Sequence, residues 1–274
     1  MSGIDLDAYI HRIGYDGPRE PTLAVLRDLV RLHTLAIPFE NLDPLLGRPI
    51  GLDPASLDAK LVRDKRGGYC FEQNTLFQLA LRSLGFEAKA LAARVLLNQP
   101  EGAVTPRTHV LLRVEAERRS YLTDVGFGSL TPTGPLLFEP GREQETPHER
   151  YRIMRTGREF ELFVRIAQDW MRLYRFHLIE HFPIDHEVDN HYVATWPRSF
   201  FRNAVIAARP SAWGRHLLFD DRLTFQHPDG RREETTLADA DALMTALAGI
   251  FGIAVPDEAA LAAAFRAILA ARHA

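Results

Sequence analysis

The hydrophobic rhythm of this chain changes from helical to alternating between Gly85 and Phe86, and that change limits the fold more than any other feature. Upstream, Leu23, Leu26, Leu29 and Val30 mark one face of a helix that must end before Pro38. Asp53 is a good N-cap with Pro54 in the first helical position; Leu57 and Leu61 share a face, and Gly67 and Gly68 stop that helix. A third helix opens at Cys70, turns Phe71, Phe77, Leu81 and Leu84 inward, and ends at Gly85 as a left-handed stop. Downstream, to about Leu178, short segments alternate with period two, at 89–97, 108–114, 121–125 and 160–166. That pattern predicts a twisted antiparallel sheet or small barrel. The Pro-, Gly- and Glu-rich stretch 131–148 reads as a long surface loop.

Beyond the alternating region, Asp185 can cap a short helix that stops before Pro197, joining the barrel to a third unit. Strands near 216–219 and 223–227 give way to two Ala-rich helical stretches, one from Ala238 and one after Pro256. The predicted class is α+β in three units. Residues 1–85 form a helical bundle, 86–200 an antiparallel β-barrel with its connecting segment, and 201–274 an α/β lid.

A chain of 274 residues, 46% apolar and 25% charged, is long enough and apolar enough to bury a substantial core. Its net charge of -3 supplies no basic field for a phosphate backbone, so nucleic acid is not an expected partner. Asp5 and Asp7 stand where a signal peptide would be basic, and no run of about 18 apolar residues follows, so the expectation is a cytoplasmic protein with no membrane partner. Composition carries no signal of oligomeric state. A single cysteine excludes an internal disulfide and a multi-cysteine zinc site, and suits a reducing compartment.

By default a lone cysteine is a small buried hydrophobe. Cys70, however, follows Arg66-Gly67-Gly68-Tyr69 at the start of a helix, where unpaired amides and the positive end of the helix dipole favour a thiolate and could later hold an oxyanion. Such a nucleophile needs a histidine. The segment 108–125 reads as strand, polar turn, strand; a two- or four-residue loop centred on Ala116 and Glu117 would set His109 directly opposite Asp124, within reach of an imidazole–carboxylate bond. An odd-length loop would put the two on opposite faces. His109 shares its face with Leu111, while Val110, Leu112 and Val114 form the alternate apolar face. A surface ion pair on a hairpin accounts equally well for His109 and Asp124 at this point.

Four motifs in order, Pro38-Phe39-Glu40-Asn41-Leu42, Arg66-Gly67-Gly68-Tyr69-Cys70-Phe71-Glu72-Gln73-Asn74, Thr108-His109-Val110 and Thr123-Asp124-Val125-Gly126-Phe127-Gly128, resemble the arylamine N-acetyltransferase family. The resemblance implies a core related to cysteine proteases and transglutaminases, with a Cys70–His109–Asp124 triad. It implies acetyl transfer from acetyl-CoA, through a Cys70 thioester, to an arylamine or arylhydrazine, with no metal. The family pattern supports a buried Glu40–Arg66 ion pair setting the glycine turn; a surface pair is the alternative. An aromatic acceptor would need an apolar slot, for which Phe39, Tyr69 and Phe127 stand close to the motifs, with Val95, Phe200 and Phe201 as family-guided additions. Amides of Gly126, Gly128 and Ser129 could meet the CoA pyrophosphate, although a short glycine run is most often a turn.

Two other patterns point elsewhere. His177 and His181 have a metal-like spacing but lie in a predicted strand, where they would not converge. The run from Lys60 to Arg66, with four cations, reads as a solvated helix face. Two rival functions remain: a hydrolase or transglutaminase-like enzyme on the same cysteine scaffold, and a non-catalytic aromatic-ligand binding protein with a structural Cys70.

Overall fold

The computed structural model describes residues 3–272. The N-terminal third holds α1 (Leu6–Ile13), α2 (Leu23–Ala36), the two-residue β1 (Phe39–Glu40), α3 (Leu42–Leu45), α4 (Pro54–Leu57) running into a π-turn at Asp58–Arg63, and α5 (Cys70–Ser83). Asp53 caps α4 as its position predicts, accepting from the amides of Ala55 and Ser56 at 3.1 and 3.0 Å. Gly85, at φ +88°, closes α5.

The alternating region forms β2 (Glu87–Val95), β3 (Arg107–Ala116), β4 (Arg119–Thr123), β5 (Leu136–Leu137), β6 (Glu143–Glu145), β7 (Arg150–Thr156), β8 (Glu159–Ile166) and β9 (Asp169–Glu180). All pair antiparallel in the order β5-β4-β3-β2-β9-β8-β7-β6. The outer strands almost meet: the Gln144 side chain accepts from Leu137 N at 2.7 Å and donates to Leu137 O at 2.9 Å, so the sheet is nearly closed. The stretch 131–148 is therefore not loop throughout, since β5 and β6 lie within it.

The period-two reading of β3 holds on both faces. Val110, Leu112 and Val114 pack on the helical core with Phe71, Phe77 and Leu81, whereas Leu111 faces the barrel interior with Leu91, Tyr151, Leu162 and Phe176. The strand is buried on both sides, and α5 lies across one of them.

The chain continues through α6 (Pro183–Thr195), α7 (Phe200–Asn203), β10 (Ile206–Ser211), β11 (Gly214–Phe219), β12 (Arg222–Gln226), β13 (Arg232–Thr236), α8 (Ala240–Ala246) with a π-turn at Leu247–Phe251, and α9 (Glu258–Arg272). Asp185 does not cap α6 from outside. It sits in the first turn and its carboxylate accepts from Phe182 N at 2.9 Å, because Pro183 supplies the first helical residue. The strands of this third unit form a five-stranded sheet with β1 on its edge: Phe39 pairs with Ala208 and Glu40 with Ala207. A separate core of Leu218, Leu243, Phe251, Leu261 and Phe265 lies under it. The N-terminal and C-terminal thirds thus share one sheet.

Candidate active site

Cys70 is the first residue of α5, 3% exposed, with its thiol directed to the Thr108 carbonyl at 3.7 Å. What places it there is backbone against backbone. Gly68 bridges Phe39 in parallel, Glu40 N donates to Gly68 O at 3.1 Å and Gly68 N to Pro38 O at 3.3 Å, so the first two motifs run side by side. Neither glycine at 67 or 68 has a positive φ. They are required by proximity: a Cβ on Gly67 would lie 2.9 Å from Glu40 Cγ, and one on Gly68 2.7 Å from Glu72 Oε2.

A buried charge network holds this turn. Arg66, 7% exposed, donates to Glu40 Oε1 through Nε at 3.1 Å and through its terminal nitrogen at 2.6 Å, and to Asp43 at 2.9 Å. Lys60 bridges Asp43 and Glu72, each at 2.6 Å, and Glu72 accepts from Tyr69 N at 3.1 Å. The Glu40–Arg66 pair is therefore buried, and the cationic run is a solvated face only at Arg63 and Lys65, which are exposed. Lys60 and Arg66 turn inward, because Asp43, Glu40 and Glu72 supply the carboxylates that make burial of two cations tolerable.

The hairpin turn falls on Glu117 and Arg118, both left-handed at φ +49° and +63°, a two-residue loop of the kind that matches strand twist. Leu112 pairs with Thr123 and Ala116 with Arg119, so the register differs by two residues from direct His109–Asp124 opposition. A shift of two keeps both side chains on one face. His109 reaches diagonally, and its Nε2 lies 2.7 Å from Asp124 Oδ2, with His109 3% and Asp124 0% exposed. The pair is not a surface one.

Burial alone would depress the imidazole, but the charge and hydrogen bond of Asp124, reinforced by Cys70, push His109 up to about 10. Asp124 is itself fixed: Oδ1 accepts from Asn74 Nδ2 at 3.0 Å and from Gly126 N at 3.0 Å. Asn74 also donates to Val110 O at 2.8 Å and accepts from Val125 N at 3.1 Å. It stands one turn beyond Cys70 on α5, so one helix carries both the thiol and the residue that fixes the Asp124 carboxylate. Nothing in the sequence gave Asn74 that role beyond its spacing of four from Cys70. Gln73, likewise unpredicted, ties the helix to the β1 segment by donating to Pro38 O at 2.7 Å and Gly68 O at 3.2 Å. Its Oε1 must then accept from His33 Nε2, at 2.7 Å, and Tyr9 OH donates to His33 Nδ1 at 2.9 Å.

The aromatic candidates separate into groups. The Phe127 ring stands edge-on to His109 at 5.2 Å, with Tyr174 5.0 Å from the imidazole and 5.3 Å from Phe127. Val95 lies opposite Tyr174 on the neighbouring strand. Phe39 and Phe201 pack at 6.1 Å, and Tyr69 meets Phe201 at 5.5 Å. Tyr69 is fully buried, its hydroxyl bonded to Asn190, and is core rather than open lining. Phe200 is 55% exposed and stacks on Phe219 at 5.4 Å, on the outer surface.

Among the glycine-turn amides, Gly126 N is engaged by Asp124 and Phe127 N donates to the Thr131 hydroxyl at 3.0 Å. The Gly126 amide therefore does not face a pyrophosphate; this glycine serves close approach, since a Cβ there would lie 2.8 Å from Cys70 Cα. Gly128, at φ +89°, passes the Phe39 ring, and Ser129 is half-buried. His177 on β9 reaches across to Glu159 at the start of β8, at 3.0 Å. Among the described residues, no group of three or more His, Cys, Asp or Glu is placed to hold a metal, and no helix is long and apolar enough to cross a membrane.

A thiol, an imidazole and a carboxylate thus converge from three elements, aligned by close glycine approaches. The profile of a family described as N-acetyltransferase matches residues 22–260. The arylamine N-acetyltransferase of Mycobacterium tuberculosis is 43% identical over 258 residues, covering 93% of this chain and 91% of that one. The arylamine N-acetyltransferase / N-hydroxyarylamine O-acetyltransferase of Salmonella typhimurium is 40% identical over 253 residues, covering 92% and 90%. The solved structure of Mycobacterium marinum arylamine N-acetyltransferase in complex with CoA superposes with a TM-score of 0.93 at 39% identity, over 96% of this chain and 99% of that one. With the motifs, the fold and these likenesses in agreement over almost the whole length, the chain belongs to the arylamine N-acetyltransferase family.

Proposed function

We propose that this protein is an acetyl-CoA-dependent arylamine N-acetyltransferase that works by acyl transfer through Cys70, with His109 and Asp124 completing the triad. The observation that carries this reading is the buried His109–Asp124 pair at 2.7 Å, placed beside a cysteine at a helix start. The Cys70 thiolate attacks the acetyl thioester carbonyl, and amides of the first turn of α5 stabilise the oxyanion. As the C–S bond to CoA breaks, the His109 imidazolium gives its proton to the departing sulfur. Acylation removes the sulfur that helped hold His109 protonated, so the imidazole is a better base when the amine arrives. The amine nitrogen attacks the acyl carbon, His109 takes its proton, and the Cys70 thiolate leaves. Asp124, held by Asn74 and Gly126, orients the ring and balances its charge throughout.

Phe127, lying against His109, forms one wall of the aromatic acceptor slot, with Val95, Phe39 and Phe201 as further lining and Tyr69 supporting from behind. Gly128 and Ser129 remain for the CoA side. The fold behind this chemistry is a helical unit (1–85), a barrel (86–200) and an α/β lid (201–274), with a core of the cysteine-protease and transglutaminase kind. Intact-protein mass after acetyl-CoA treatment tests the reading: one acetyl group on Cys70, removed by an arylamine, is expected. Rapid discharge by water alone would assign a hydrolase, and no acetylation would reject the acyl-enzyme.

A further inference from the structure

Helix α6 is amphipathic in the wrong sense for a monomer. Its buried face carries His186 and Asn190 beside Val193, while Ile184, Val188 and Tyr192 stand 63%, 66% and 45% exposed on the opposite side. These three residues are spaced by four and form one continuous ridge. Phe182 (57% exposed) precedes the ridge and Trp196 (39%) ends it, stacked on Tyr192 at 5.8 Å, with exposed Phe200 one turn further. Single exposed apolar residues need no explanation, but six strung along α6, its two caps and the start of α7 do.

We propose that this stripe is a two-fold interface at which α6 packs antiparallel against α6 of a second copy of the chain. Three observations favour that occupant. An i, i+4 ridge is self-complementary, interdigitating with the grooves beside the same ridge on an antiparallel partner. The ends of the stripe carry opposite charge: Glu180 and Asp185 at the start, Arg198 and Arg202 past the end. Antiparallel pairing sets each acidic end against a basic one and opposes the helix dipoles. The six side chains together expose about 600 Å² of largely apolar surface, and with the charged rim this approaches the about 800 Å² per partner of a standard interface.

Sedimentation velocity on the full chain across the micromolar range tests the proposal. Wild type is expected to run at twice the chain mass, and Val188→Glu and Ile184→Lys each at the single-chain mass, with unchanged circular dichroism because both positions face solvent in the protomer. A wild-type protein at single-chain mass throughout would overturn it. If that monomer also cosediments with phosphatidylcholine–phosphatidylglycerol vesicles, the stripe belongs to a lipid surface. A dimer that survives both substitutions would equally overturn the proposal by placing the interface elsewhere.

Discussion

Gly126→Ala is the sharpest perturbation of the site, because it adds one methyl group between α5 and the segment that carries Asp124. The new Cβ would sit 2.8 Å from Cys70 Cα, 2.9 Å from Asn74 Nδ2 and 3.0 Å from Gln73 Cβ. Carbon atoms in contact prefer about 3.5 Å or more, so the post-β4 segment and the start of α5 must separate by roughly 0.7 Å. Neither side yields easily: one contact is backbone, and the other two belong to side chains tied by hydrogen bonds to Val110, Asp124, Pro38 and Gly68. Overpacking of this kind costs about 1–3 kcal/mol, or roughly 2–10 °C in melting temperature for a chain of this size. The catalytic loss should be larger in proportion, on the order of 100-fold, because the displacement falls between Cys70 and the Asp124 carboxylate that orients His109. The assay is the rate of Cys70 acetylation by acetyl-CoA, followed by intact mass, beside a thermal melt. Wild-type rate and wild-type melting together would refute the reasoning, since the methyl would then fit without moving the triad.

Arg66→Met should destabilise by about 3–5 kcal/mol in urea at unchanged m-value, because it strands the buried Glu40 carboxylate; Arg142→Met, which breaks the exposed pair with Glu139, should cost under about 1 kcal/mol. His109→Ala should slow alkylation of Cys70 strongly near neutral pH, and an unchanged rate would remove the imidazole from the mechanism. Because His109 is held up to about 10, its charge contributes stability that is whole below the unfolded value near 6.5 and is lost as pH rises from there through 10; melting followed from pH 6 to 10 should show that decline in wild type and a flatter profile in Asp124→Asn. Phe127→Ala should raise the KM for aromatic amines while leaving Cys70 acetylation within a few-fold of wild type; equal losses in both half-reactions would make Phe127 a support for His109 rather than an acceptor wall.

The helix, barrel and hairpin patterns were legible because each depends on local periodicity. α2 ends before Pro38, α5 opens at Cys70, and β3 shows its two apolar faces in the positions that alternation requires. The hairpin was read with its turn one residue early, on Ala116 and Glu117. His109 and Asp124 still met, because an error of two in register preserves the face and an imidazole spans the diagonal. What periodicity could not reveal is contact between distant segments. The pairing of Phe39 with Ala208 and with Gly68 involves two residues, too few to carry a pattern. Lys60 looked solvated because the carboxylates that neutralise it, Asp43 and Glu72, lie 17 residues before and 12 after it. Phe200 entered the aromatic slot on the family resemblance, and only the direction of α7 shows that it faces outward.

The glycines of the two central motifs have a common physical cause that is not flexibility. Gly67 and Gly68 lie against Pro38–Glu40 and Glu72, and Gly126 against Cys70; none of the three has a positive φ, and each would drive a Cβ to 3 Å or less from its neighbour. Cys70, His109 and Asp124 therefore sit where three backbone segments approach more closely than side chains allow. That closeness lets Asn74 bond Val110, Asp124 and Val125 at once, and so removes the rotational freedom of the carboxylate before any substrate arrives. A cysteine at a helix start is common and a histidine–aspartate pair on a hairpin is common. What makes them one site is that the chain has given up Cβ atoms at the positions where the helix, the β1 segment and the hairpin must touch.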